Sequence, residues 1–275
     1  MPLHLRRTYG APNTRHFDLL IPPPTTEFMP TTPALAPPFA RLRAGLISLP
    51  GVLLVVALVT LLCRLETTLA PWSPYFFGYG ALALAVPLWL RGAPIKPLRL
   101  AGKPLWRVTA AVATLAIGVD SGIFTLGYDA LLQQLGLYQP FYSISGATNR
   151  MVDTVAQRQN LSQLAAMGIF GVLTLLWAPV AEELFYRGYV YGSLKRHLPL
   201  AAAWAISVAA FGLRHTIHFY YLWPHLSVAG VVWACSMLVF GSLMTWLYER
   251  SGGLAPCMLV HLLVNIAGIL AAPLP

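Results

Sequence analysis

A chain of 275 residues with 57% hydrophobic and only 10% charged positions, and a mean hydropathy of +0.65, is too apolar for a water-soluble domain. Such domains carry roughly 25% charged residues. The net charge of +9 invites a nucleic-acid reading, but the basic residues cluster beside long apolar runs, so the excess reads as membrane topology and not as nucleic-acid binding.

In chain order, residues 1–43 contain Pro22, Pro23, Pro24, Pro30, Pro33, Pro37 and Pro38 and no apolar run of the signal-peptide kind. They predict a disordered, basic cytoplasmic tail. Runs long enough for a membrane helix, which needs ~20 apolar residues, lie near 44–63, 72–90, 106–127, 164–194, 199–218, 226–248 and 254–272. The expected fold class is therefore all-α, a polytopic transmembrane helical bundle of about seven spans, with a range of about six to eight because boundaries are soft. The run at 164–194 exceeds one span and predicts either extra helical turns or a separate interfacial piece. Three segments follow: the tail (1–43), N-terminal spans and loops (44–160) and a C-terminal core (161–275). No internal repeat of the kind that builds transporters from two related halves is visible.

Arg6, Arg7, Arg15, Arg41, Arg43, Arg91, Lys96, Arg99, Lys103, Arg107, Lys195, Arg196 and Arg250 fall on one side if the spans alternate. The other side receives Arg64, Arg150, Arg158 and Arg214. This asymmetry predicts a cytoplasmic N-terminus, and the expected location is a bacterial inner (plasma) membrane. Cys63, Cys235 and Cys257 show no framework or metal-ligand spacing and read as packing residues.

Asp120 is the one ionisable residue deep in the first three spans. The C-terminal core instead holds Glu182, Glu183, Arg187, His215, His218, His261 and Asn265. An ionisable group inside a span is costly and marks function by default. In Glu182-Glu183-Leu184-Phe185-Tyr186-Arg187 the i,i+4 spacing pairs Glu183 with Arg187. Glu182 points elsewhere, towards the face of Phe185, Tyr186 and Tyr189, where a carboxylate in low dielectric suits general acid or base work. Pro179 is expected to kink or open the helix. The bland alternative is a buried ion network that only fixes packing. His215 and His218 share a face, but HxxH without a helical carboxylate is a weak metal signal. His261 and Asn265, one turn apart, can hold a developing oxyanion or simply hydrogen-bond a neighbouring helix.

Depth connects these clusters. Glu182 precedes the turn near His197 by 15 residues and His215 follows it by 18, a difference of about 4–5 Å at ~1.5 Å per residue. Asn265, counted from Gly253, lies ~18 Å deep by the same rise. All four can meet inside the bilayer.

Glu182-Glu183-x-x-x-Arg187, Phe211-x-x-x-His215 and His261-x-x-x-Asn265 resemble, in order, the motifs of the CPBP family. It comprises CAAX prenyl endopeptidases and bacteriocin-processing or self-immunity proteins, also called the Abi family. The resemblance covers 164–275. It implies a glutamate-dependent intramembrane endopeptidase in which Glu182 and His215 activate water, His261 and Asn265 stabilise the oxyanion, and Glu183 and Arg187 support them. The implied partner is a membrane-embedded or lipid-anchored protein or peptide substrate. No cofactor is expected, although Glu182, His215 and His261 are enough in number and kind for zinc. The alternatives are a non-catalytic immunity or scaffold protein on the same fold and a proton-coupled transporter.

Overall fold

The computed structural model describes residues 37–69, 103–139, 143–222 and 228–271. The tail up to residue 36, and with it most of the segment read as disordered, lies outside the described residues, as does the whole predicted span at 72–90. Among the described residues there are helices and connecting turns, with no strand. The elements are α1 (Pro37–Ile47) and α2 (Leu49–Leu69), α3 (Leu105–Gln134), α4 (Ser145–Gln159), α5 (Gln163–Leu194), α6 (Leu200–Leu222), α7 (Val228–Ser251) and α8 (Ala255–Ala271). The all-α expectation holds.

Leu105–Gln134, Gln163–Leu194 and Ala229–Ser251 are each long and apolar enough to cross a membrane. The pair Ala40–Ile47 and Leu49–Leu62, bent by 80°, makes a fourth if taken as one span. The chain is an integral membrane protein. Its outer face bears this out, with Leu164, Leu270, Ile123, Leu213 and Leu176 all well exposed, a surface suited to lipid and not to water. Lipid also explains why the chain is helical, since only intrasegment hydrogen bonds can satisfy a backbone there.

The predicted span at 44–63 is not one straight helix. It breaks at Ser48, whose hydroxyl donates to the Gly45 carbonyl. A side chain at Gly51 would place its Cβ 1.9 Å from the Gly45 carbonyl oxygen, so the bend requires glycine there. The carbonyls freed at the end of α1 find distant partners: Tyr189 Oη donates to Leu46 O at 2.7 Å, and His197 Nε2 lies 2.9 Å from Ile47 O. Those bonds satisfy the helix end and tie α1 to the last turns of α5 and to the α5–α6 turn.

The long run at 164–194 is one continuous helix of 32 residues, so its surplus length is extra helix and not a separate piece. Two stretches of it, Leu173–Trp177 and Glu183–Tyr191, are π-helical, as is Gly118–Gly127 within α3. Pro179 sits just after the first. Lacking an N–H, it cannot complete the ladder, which is how it opens the helix.

The core gathers around the second half of α5. Phe185, Tyr186, Tyr189, Val190, Tyr191 and Leu194 are buried with Phe211 of α6, Met244 and Tyr248 of α7, and Cys257 and Val260 of α8. Helix α6 runs along α7, and α8 along α3. Gly252, at φ +67°, makes the tight turn from α7 to α8. Cys257 packs in this core, as expected, and Cys235 is exposed.

Candidate active site

Four helices bring the polar residues together in a cavity of about 190 Å³. Glu182 and Thr174 enter it from α5, Arg214 and His215 from α6, His261 and Asn265 from α8, and Asp120 from α3. Glu182 is the hub. Its Oε2 lies 3.9 Å from His215 Nε2 and 4.0 Å from His261 Nε2. The matched depth of Glu182 and His215, counted from the turn near His197, is realised as side-chain proximity.

Glu182 is not the isolated carboxylate among aromatics that the sequence suggested. Its Oε1 is 2.8 Å from Arg214 Nη2, and both side chains are buried, at 3% and 5% exposure. The charge pattern places Arg214 with the charges on the far side of the membrane, yet it lies inside the bundle as an internal counter-ion. The signal was available: Arg214 follows His197 by 17 residues, so it lies within about 1.5 Å of His215 in depth.

Hydrogen bonds define the state of each imidazole. His215 Nδ1 lies 2.7 Å from the Phe211 carbonyl, which can only accept, so Nδ1 carries the proton. His215 Nε2 lies 3.1 Å from Arg214 Nη1, and arginine can only donate, so Nε2 presents its lone pair. Phe211, the first residue of that motif, therefore orients His215 through its backbone while its ring stacks 4.4 Å from the imidazole. On α8, His261 Nδ1 donates to Glu183 Oε1 at 2.8 Å, which turns its Nε2 towards Glu182.

Glu183 and Arg187 form the expected i,i+4 pair, Nη1 to Oε1 at 3.0 Å. The pair does more than neutralise itself. The same Glu183 oxygen holds His261, the kind of carboxylate orientation of an imidazole that active sites use. Arg187 is fully buried, donating also to Gly241 O at 3.2 Å and lying 4.4 Å over the Phe211 ring. Gly241 permits this approach, because a Cβ there would meet Phe211 at 3.2 Å and Arg187 at 3.5 Å.

Asn265 shares the cavity, but its amide donates to the Thr174 carbonyl at 2.8 Å. In the π-helical turn Ala178 N–H already serves Leu173 O, and the next donor in register for Thr174 O would be residue 179, which is proline. Asn265 fills the hole that Pro179 leaves in α5. Replacing Asn265 by alanine is expected to cost about 1 kcal/mol by stranding a part-buried carbonyl. Adding Pro179→Ala, which restores an N–H, is expected to return part of that loss. Thermal unfolding in detergent of the two variants checks both statements; equal melting of the single and double variants would argue against the repair.

Asp120, the one ionisable residue deep in the N-terminal spans, lines the same cavity and accepts a hydrogen bond from the buried Ser236 hydroxyl of α7. Asp120, Thr174 and Glu183 each lie in one of the three π-helical stretches, which are frequent at functional sites. The side chain of His218 lies outside the described residues.

Residues 164–267 match the model of the family described as type II CAAX prenyl endopeptidase Rce1-like. Over this stretch the chain is similar to that family. The motif resemblance is thereby borne out on the helices that carry the cavity's Glu182, His215, His261 and Asn265. The chain is also 28% identical over 145 residues to the UPF0177 protein YxdF of Lactococcus lactis subsp. lactis (strain IL1403), covering 53% of this chain and 70% of that protein. No solved structure matches.

A resident zinc ion does not fit this donor set. One oxygen of Glu182 and the lone pair of His215 Nε2 both face the Arg214 guanidinium, and a dication there would sit within a few ångströms of a fixed positive charge.

Proposed function

We propose that this chain is an intramembrane endopeptidase that hydrolyses a peptide bond of a membrane-embedded or lipid-anchored protein. In this reading Glu182 takes a proton from water, His215 accepts from Arg214 and so fixes that guanidinium beside the carboxylate, and His261 and Asn265 line the side where the carbonyl oxygen comes to rest. Glu183 and Arg187 hold His261 in place. The observation that carries the reading is the convergence of three buried motifs on one carboxylate, with Glu182 Oε2 3.9 Å and 4.0 Å from two imidazole nitrogens. A water at the ordinary ~2.8 Å from Glu182 Oε2 and from His261 Nε2 fits between groups so spaced. The Rce1-like match supports protease chemistry for the same helices.

The test is a substrate trap. Membranes producing the wild-type chain or Glu182→Gln are compared by mass spectrometry for new N-termini and for proteins that accumulate uncut. Termini that appear with the wild type and vanish with Glu182→Gln support the reading. Identical profiles point instead to a non-catalytic scaffold, in which the Glu182–Arg214 pair merely joins α5 to α6.

For orientation, the charge asymmetry supports a cytoplasmic N-terminus. Cysteines introduced near Arg15 or Arg99 are expected to resist an impermeant thiol reagent in intact cells and to react after permeabilisation. Labelling of either from outside would reverse the topology.

A further inference from the structure

We propose that Arg214 is the principal electrophile of the site, the group that holds the negative charge developing on the substrate carbonyl oxygen. This rests on the protease reading above. The two residues that the resemblance places at the oxyanion each have one donor engaged in holding the bundle together. Asn265 uses one N–H of its amide on Thr174 O, in place of the missing Pro179 N–H. His261 donates from Nδ1 to Glu183, and Nε2 is the nitrogen it turns to the cavity.

Arg214 adds a permanent positive charge to the same cavity. Its two terminal nitrogens stand 2.8 Å from Glu182 Oε1 and 3.1 Å from His215 Nε2, so the guanidinium lies directly against the carboxylate that activates water. It lines the cavity and is buried. When the water oxygen bonds to the carbonyl carbon, one water proton passes to Glu182 and the carbonyl π pair moves onto oxygen. The negative charge leaves the carboxylate and appears on the oxyanion a few ångströms away. Arg214 loses one anionic partner as the other forms, so the charge of the cavity stays constant throughout. In a water-poor site this matters, because an unpaired charge is costly there, whereas a donor already in place needs no reorganisation. On collapse the C–N bond breaks, its electron pair stays on nitrogen, and the leaving amine takes the proton from Glu182. The Glu182–Arg214 pair is then restored.

The experiment uses the full-length protein in membranes and reads the initial rate at which new N-termini appear. Arg214→Ala is expected to lower that rate by about 10²-fold or more, the usual loss for one oxyanion donor. Guanidinium chloride at sub-denaturing concentration is expected to restore part of the rate in Arg214→Ala and none in Glu182→Gln. Arg214→Lys keeps the charge without the fork, so an intermediate rate is expected; it also serves if the alanine variant does not fold. The inference fails, with the protease reading intact, if cleavage depends on Glu182 but either folded Arg214 variant cleaves at the wild-type rate. It fails equally if guanidinium restores nothing to a folded Arg214→Ala. If wild-type and Glu182→Gln membranes give the same termini, the protease reading itself is wrong and the inference goes with it.

Discussion

Glu182→Gln is expected to reduce cleavage on the order of 10³-fold, the middle of the range for a positioned general base, and His215→Ala by a similar factor. The two variants should differ in stability. Glutamine at 182 keeps an oxygen to accept from Arg214 but removes the charge that compensates a guanidinium buried at 5% exposure. Breaking one side of a buried pair is more costly than never having it. A lower melting temperature should therefore accompany the activity loss in Glu182→Gln. His215→Ala removes a neutral ring and should melt closer to the wild type. The double variant Glu182→Gln with Arg214→Gln replaces the ion pair by two amides of matching shape. It is expected to regain melting temperature relative to Glu182→Gln while remaining inactive, which separates folding from chemistry. Substantial cleavage by purified Glu182→Gln would remove Glu182 as the base.

The second large effect is expected at the buried Glu183–Arg187–His261 group. Arg187→Ala leaves Glu183 with His261 alone and vacates the contacts with Gly241 O and the Phe211 face. Glu183→Gln leaves Arg187 uncompensated at the centre of the core. Each is expected to lower unfolding stability by roughly 3–5 kcal/mol, the cost of leaving one buried charge unpaired. Each should also slow cleavage, because His261 loses the acceptor or the rigidity that aims its Nε2 at Glu182. Thermal unfolding in detergent, run beside the cleavage assay, tests the coupling of the two losses. Unchanged melting with vanished activity would mean that Glu183 or Arg187 acts on the substrate directly.

Much of this protein can be read along the chain because lipid leaves few options. Apolar runs must be helices there, and six of the seven predicted runs coincide with described helices; the seventh, 72–90, lies outside them. The Glu183–Arg187 pair follows from local helix geometry alone. The nearness of Glu182 and His215 follows from counting residues on either side of one turn, since two antiparallel helices share a depth scale.

What the tertiary structure decided is which way each helix faces. Helix α6 is apolar nearly all round, with Leu213 exposed beside the buried Arg214 and His215, so no one-sided pattern announces that Arg214 turns inward to Glu182. Glu183 was assigned to Arg187 by proximity in sequence, whereas its second partner, His261, lies 78 residues away. The gap that Asn265 fills exists only because α5 adopts a π-helical turn before Pro179, and its donor comes from 91 residues further on. Asp120 enters the cavity only through the packing of α3 against α7 and α8. Composition and spacing determine that these groups are helical, membrane-embedded and at matching depth. Rotation of each helix about its own axis is set by side-chain packing across helices, and that alone determines which of them touch.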